Sequence, residues 1–141
     1  MCLHHAADPG EWRDAARALL LAGMSPEEVE WSLGDTDLFG RAPTEVPPPG
    51  EGATPPSVPR RFLDLADAVL CHSDPGRFSL LYRTLWRLRD DPLLIGFLPD
   101  PDVQRLHRME KSVRRDCHKM TAFVRFREIA GQPGDRRRFH K

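Results

Sequence analysis

Cationic side chains recur at helical spacing in the C-terminal third of this chain of 141 residues. Intervals of three and four residues return to the same side of an α-helix, so a helix here would gather several cations on one face. A row of cations can neutralise phosphate groups and release their counterions, which produces salt-dependent binding of nucleic acid. We name Arg108, Lys111, Arg115 and Lys119 the basic stripe. The predicted phosphate contacts are these four residues together with Arg114, Arg125 and Arg127.

The formal net charge of zero conceals a strong asymmetry along the chain. Residues 1–59 contain three basic and ten acidic side chains, residues 60–101 contain six of each, and residues 102–141 contain twelve basic and five acidic ones. The chain is therefore dipolar, with its positive end C-terminal. This charge predicts nucleic acid, with DNA as the first candidate, as a partner. An acidic protein surface fits the same charges, and an ordinary solvated helix face is the simplest alternative.

Two phenylalanines alternate with arginines directly after the basic stripe. Phe123 and Phe126, next to Arg125 and Arg127, could stack on unpaired bases. Aromatic residues in such positions more often belong to a hydrophobic core. On a strand, only one of the two phenylalanines can share a face with the arginines.

Catalytic and metal-binding patterns are weak by comparison. The pairs Cys71-His72 and Cys117-His118 offer metal ligands, but the chain has no Cys-x-x-Cys, His-Glu-x-x-His or deaminase motif. Nucleophile and phosphate-loop motifs are also missing. We therefore predict no catalytic residues, no metal, no cofactor and no independent enzymatic activity.

Composition favours a cytoplasmic protein. No apolar run approaches the ~20 residues of a membrane-spanning helix, and the first residues do not resemble a secretory signal. Three cysteines cannot all pair within one chain, which favours a reducing compartment. We accordingly expect no membrane association.

Hydrophobic periodicity predicts four helices. They cover residues 11–22, 60–71 and 75–89, and a long stretch from 101 to about 123. The third of these helices should be the most buried, with Trp86 in the core. In the last helix one apolar stripe opposes the basic stripe, and Cys117 on it should behave as a small core residue. That apolar stripe consists of Leu106, Met109, Val113, Cys117, Met120 and Val124.

The same patterns divide the chain into four parts. Residues 1–33 should form a helix and a short strand, and seven of the fourteen prolines make residues 34–59 a linker. Residues 60–130 should form a helical domain, and residues 131–141 a basic turn. The predicted fold is thus mainly α with a minor β component. Because a return strand would only begin at Phe139, the hairpin looks incomplete and the chain truncated.

Two segments, residues 72–88 and 115–128, resemble an uncharacterised DNA-metabolism family. The first reads His-Ser-Asp-Pro-Gly-Arg-Phe-Ser-Leu-Leu-Tyr-Arg-Thr-Leu-Trp-Arg-Leu, and the second reads Arg-Asp-Cys-His-Lys-Met-Thr-Ala-Phe-Val-Arg-Phe-Arg-Glu. Members of that family occur beside a radical-SAM protein or are fused N-terminally to UdgX-type uracil-DNA glycosylases. Residues 12–31 resemble the N-terminal part of the same fused proteins.

This resemblance implies an accessory role in DNA repair, with a glycosylase domain or a radical-SAM protein as partner. It transfers no catalytic residues. The family's pattern continues with an aromatic strand and an acidic-His-His segment that this chain lacks, and it usually has an aliphatic residue in place of Cys117. The function predicted from the sequence is therefore a non-catalytic nucleic-acid-binding module. The alternative is a protein-interaction scaffold that docks its basic helix on an acidic partner.

Overall fold

Four α-helices dominate the computed structural model, which describes residues 2–3, 8–33, 48, 54, 57–123, 125–126 and 139–140. Two short 3-10 helices, Pro26–Glu28 and Leu94–Gly96, connect longer elements. The prediction of a mainly helical protein is confirmed. The α-helices are α1 (Pro9–Leu21), α2 (Arg60–Leu70), α3 (Arg77–Leu88) and α4 (Pro101–Phe123).

Strands within the described residues are very short. β1 (Cys2–Leu3) pairs in parallel with β2 (Ser32–Leu33), and β3 (Arg125–Phe126) pairs antiparallel with β4 (Phe139–His140). Pairs of two residues contribute little stability by themselves, so the predicted β component stays a prediction. The predicted linker at 34–59 lies outside the described residues, apart from positions 48, 54 and 57–59.

Local sequence signals explain the limits of α1. Asp8 accepts hydrogen bonds from the backbone N–H groups of Gly10, at 2.8 Å, and Glu11, at 3.4 Å, which caps the first turn. At the other end Gly23 adopts a φ of +70°, a conformation that suits glycine. The N–H of Met24 then reaches the carbonyl of the fifth residue before it at 3.1 Å, which closes a Schellman motif.

The core lies where the first three helices meet α4. Trp31 connects it to the N-terminal segment, because its ring lies 5.8–6.3 Å from the rings of Trp12, Phe78 and Tyr82. Tyr82 donates a hydrogen bond of 2.7 Å to the carbonyl of Met24, and burial raises the pKa of its hydroxyl to about 12. These contacts join α1, the segment after it and α3 in one apolar unit.

Two details of α3 differ from the prediction. The helix begins at Arg77, two residues later than expected, because the carboxylate of Asp74 accepts a hydrogen bond of 2.8 Å from the N–H of Gly76 and forms a turn first. Trp86 is only partly buried, and the guanidinium of Arg89 lies 4.1 Å from its ring centre. Trp12, which is 2% exposed, is the buried tryptophan instead.

The start of α4 agrees with the sequence. Asp100 accepts hydrogen bonds from the N–H groups of Asp102, at 3.0 Å, and Val103, at 3.1 Å, so it caps the helix that begins at Pro101. Among the helices of the described part of the chain, none is long and apolar enough to cross a membrane.

The apolar stripe of α4 is buried over only half of the helix. Leu106 and Met109 lie in the core, whereas Cys117 is exposed and Met120 is 69% exposed. The prediction that Cys117 is a core residue is wrong, because Cys117 is exposed and no element of the described part of the chain covers this half of the stripe. Val124 lies outside the described residues.

Candidate nucleic-acid interface

The second half of α4 stands clear of the hydrophobic core. Every residue from 114 to 121 is exposed, which amounts to about 12 Å of helix at 1.5 Å per residue. We call residues 114–121 the exposed half of α4. Side chains on all sides of it can contact a ligand.

The basic stripe runs along this helix as predicted and is exposed throughout. Within the described part of the chain, Arg108, Lys111 and Lys119 form no ion pair. Arg115 approaches Asp116 at 3.8 Å, but both side chains are largely exposed and such pairs contribute little. The cations of the stripe are therefore available to an external anion.

Arg114 differs from the rest because it has an internal partner. Its guanidinium lies 2.8 Å from the carboxylate of Glu110, which is only 6% exposed. The same carboxylate accepts two hydrogen bonds from Arg61 of α2, at 2.9 and 2.8 Å, and lies 3.2 Å from Nδ1 of His107. Glu110 thus joins α2 to α4 and orients one of the predicted phosphate contacts.

Charge on Glu110 should stabilise the fold. The hydrogen bonds from Arg61 are the main reason that the pKa of Glu110 lies below its ordinary value, and they outweigh the opposing effect of burial. We expect Glu110→Gln to lower the free energy of unfolding by about 1.5–3 kcal/mol at pH 7, the usual contribution of hydrogen bonds to a charged group. Urea denaturation measures this change.

Acid should remove the difference between wild type and Glu110→Gln. A depressed folded-state pKa stabilises the protein above the unfolded-state pKa, and that stabilisation is lost as the pH falls through the folded-state pKa. The two denaturation curves should therefore converge below about pH 4.3. Glu27→Gln, which removes an exposed carboxylate, is the control and should change little. A gap that persists unchanged into acid would contradict the ionic role of Glu110.

A groove opens between α2 and the exposed half of α4. Its volume is about 1090 Å³, and it brings together four of the predicted phosphate contacts, all except Arg108 among those on α4. It also contains both free cysteines among the described residues. The lining consists of Asp67, Ala68, Cys71, Lys111, Val113, Arg114, Arg115, Cys117, His118, Lys119 and Thr121.

The predicted phosphate contacts Arg125 and Arg127 are not among the described residues that line this groove. Arg125 belongs to β3, where the backbone alone is described, and Arg127 lies outside the described residues. Phe126 pairs with Phe139 across β3 and β4. The stacking hypothesis for Phe123 and Phe126 stays a prediction.

Ion pairs at the other end of α4 fix the direction of the helix. Arg83 makes two hydrogen bonds to Asp102, of 2.8 and 2.5 Å, and Arg87 bonds to Asp100 at 2.6 Å. The hydrogen bond from Arg87 is the main reason that the pKa of Asp100 lies below its ordinary value, and it acts against the effect of burial. Arg83 and Arg87 also share Asp102, which lies 3.4 Å from Arg87. Their i, i+4 spacing places them on one side of α3, and this signal for a common acidic partner was present in the sequence but was not used in the prediction. The network anchors the base of the helix that carries the basic stripe.

The described residues contain no cluster of three His, Cys, Asp or Glu side chains that could hold a metal ion. Cys71 and His72 lie at the end of α2, and Cys117 and His118 lie on the exposed half of α4. Cys71, Cys117 and His118 line the groove between α2 and α4, whereas His72 is not among its lining residues. The described geometry thus offers no ready-made metal site.

Comparison with known families places residues 75–139 in a match to a domain of unknown function, DUF4130. This match includes α3 and α4 with the whole basic stripe, whereas α1 and α2 precede it. No curated protein matches the chain, and no solved structure does. Similarity to an uncharacterised domain family is therefore established for this segment.

Proposed function

We propose that the chain is a non-catalytic nucleic-acid-binding module that assists DNA repair. The observation that carries this proposal is the row of exposed cations on α4, of which Lys111, Arg114, Arg115 and Lys119 line an open groove. Phosphate groups are the anions that such a row fits best, because successive phosphates of one backbone can meet successive cations. The link to repair comes from the resemblance to proteins fused to uracil-DNA glycosylases.

Partner proteins and location belong to the same proposal. A glycosylase domain or a radical-SAM protein would supply the chemistry, and the module would hold the nucleic acid. Free thiols at Cys71 and Cys117 fit a reducing compartment such as the cytoplasm.

Binding assays at several salt concentrations test the proposal. We expect the double variant Arg115→Gln, Lys119→Gln to bind DNA more weakly and to reduce the slope of log K against log salt by about 1.4–1.8 units, since each phosphate contact contributes about 0.7 on single strands and 0.9 on duplexes. The loss should be nearly equal for all sequences, because phosphate contacts do not read bases. Fluorescence anisotropy with labelled oligonucleotides measures both quantities.

The matched control removes two cations elsewhere. Arg17 on α1 and Arg60 on α2 are exposed, and neither lines the groove. Arg17→Gln, Arg60→Gln changes the net charge by the same amount and should keep most of the affinity and slope. Equal losses in the two double variants would mean that overall charge, and not the basic stripe, attracts the nucleic acid.

The alternative function is a scaffold that docks on an acidic protein. Exposure of Cys117 and of Met120, at 69%, favours it, because protein partners cover apolar side chains as well as charges. Wild-type protein without salt-dependent affinity for either strand form would eliminate the nucleic-acid proposal and favour the scaffold.

A further inference from the structure

We infer that the groove between α2 and α4 accepts one unpaired nucleic-acid strand, with its phosphates along α4 and its bases turned toward α2. This inference rests on the proposed function and specifies its ligand. It follows from the unequal charges of the two groove walls.

The α4 wall carries the positive charge. Lys111, Arg115 and Lys119 lie one helical turn apart, and the row they form is about 12 Å long. Arg114 lies beside them and is held toward the groove's side of α4 by Glu110. Several successive phosphates of one backbone can therefore be neutralised along this wall.

The α2 wall has a different character. Its described lining residues are Asp67, Ala68 and Cys71, which include no cation. The carboxylate of Asp67 is already paired with Arg13 at 2.5 Å, so this wall is close to neutral. A duplex has a charged backbone on each side, so one of its two backbones would lie against the α2 wall, where no cation lines the groove. A single strand has one charged edge and one uncharged edge, and these edges match the two walls.

The rest of the groove lining consists of Val113, Cys117, His118 and Thr121, of which all except His118 are small. Val113 and Cys117 can contact sugars and base surfaces, and the hydroxyl of Thr121 is occupied by a hydrogen bond of 3.0 Å to the carbonyl of Cys117. Of these four, His118 is the main side chain that could contact a base edge, and one such ring reads little sequence. Binding should therefore depend on strand form and hardly on sequence.

Strand preference is the first test. In fluorescence anisotropy, the full chain should bind a labelled oligo-dT of about 12 nucleotides, a length within the usual range for single-strand sites. A mixed-sequence duplex of the same length should bind about tenfold more weakly, which is a difference of ~1.4 kcal/mol in binding free energy. Affinity for the duplex equal to or above that for the single strand would overturn the inference.

Thiol protection locates the strand. In a Cys2→Ser background, saturating oligo-dT should slow the alkylation of Cys71 and Cys117 several-fold, because both thiols line the groove. Poly-L-glutamate, which has charge without bases, should protect them less. Equal protection by both polymers, or none by oligo-dT, would overturn the inference.

The two proposals can fail separately. Salt-dependent binding that Arg115→Gln, Lys119→Gln weakens, without thiol protection or strand preference, would refute the single-strand groove and leave the nucleic-acid function intact. No binding to either strand form would refute both.

Discussion

Replacing Trp12 by alanine should lower the free energy of unfolding by about 3–5 kcal/mol, the range expected when a large aromatic side chain leaves a cavity in a core. Trp12 is 2% exposed, and its ring lies 6.1 Å from that of Trp31, which in turn contacts α3. Loss of Trp12 therefore removes the contact between α1 and the aromatic cluster. Urea denaturation at pH 7 measures the change, and Trp12→Phe should cost less because it keeps a ring in place.

Trp86→Ala provides the comparison and should cost less than Trp12→Ala. One side of the Trp86 ring is covered by Tyr82, at 6.5 Å, and the guanidinium of Arg89 lies 4.1 Å from the ring centre near the surface. Removal of a partly buried ring lowers the free energy of unfolding by less, because part of the ring surface was already in contact with water. An equal or greater loss for Trp86→Ala would show that α3 packs more deeply than described.

Local signals in the sequence identified most of the helical architecture. The helices predicted at 11–22 and from 101 to about 123 correspond to α1 (Pro9–Leu21) and α4 (Pro101–Phe123), with differences of at most two residues at an end. The capping box of Ser25 and Glu28 is present, with a hydrogen bond of 2.7 Å between the N–H of Ser25 and the carboxylate. These features depend on neighbours within one or two helical turns, which a single sequence contains.

Features that depend on distant segments could not be predicted. The apolar stripe of α4 extends beyond the residues that α2 covers, because α2 is about 16 Å long and α4 is about 35 Å long. Periodicity identifies a face but not the length of the element that covers it, which is why Cys117 was misplaced. Glu110 was missed for the same reason, since its partner Arg61 lies 49 residues away. The groove likewise requires α2 and α4 to be adjacent.

Residues 75–139, the segment that matches the uncharacterised domain family, should not fold alone. They contain α3 and α4 but not α1 or α2, and α2 is the element against which α4 chiefly packs. Phe78, Leu81 and Leu106 are each 2% exposed or less in the full chain, and removal of the first two helices would expose apolar surface around them. Glu110 would also lose Arg61. Because a typical domain is stabilised by only about 5–15 kcal/mol, we expect the loss of this apolar burial to unfold the segment.

Circular dichroism and urea denaturation of residues 75–139 and of the full chain measure this effect. The full chain should unfold in one cooperative transition, whereas the segment should show little helix and no transition. A cooperative transition in the segment, with a slope close to that of the full chain, would contradict the packing described above. It would also show that the family domain is a complete folding unit. The expected result instead makes α1 and α2 necessary to hold the basic stripe, so the unit that presents the groove between α2 and α4 extends upstream of the family match.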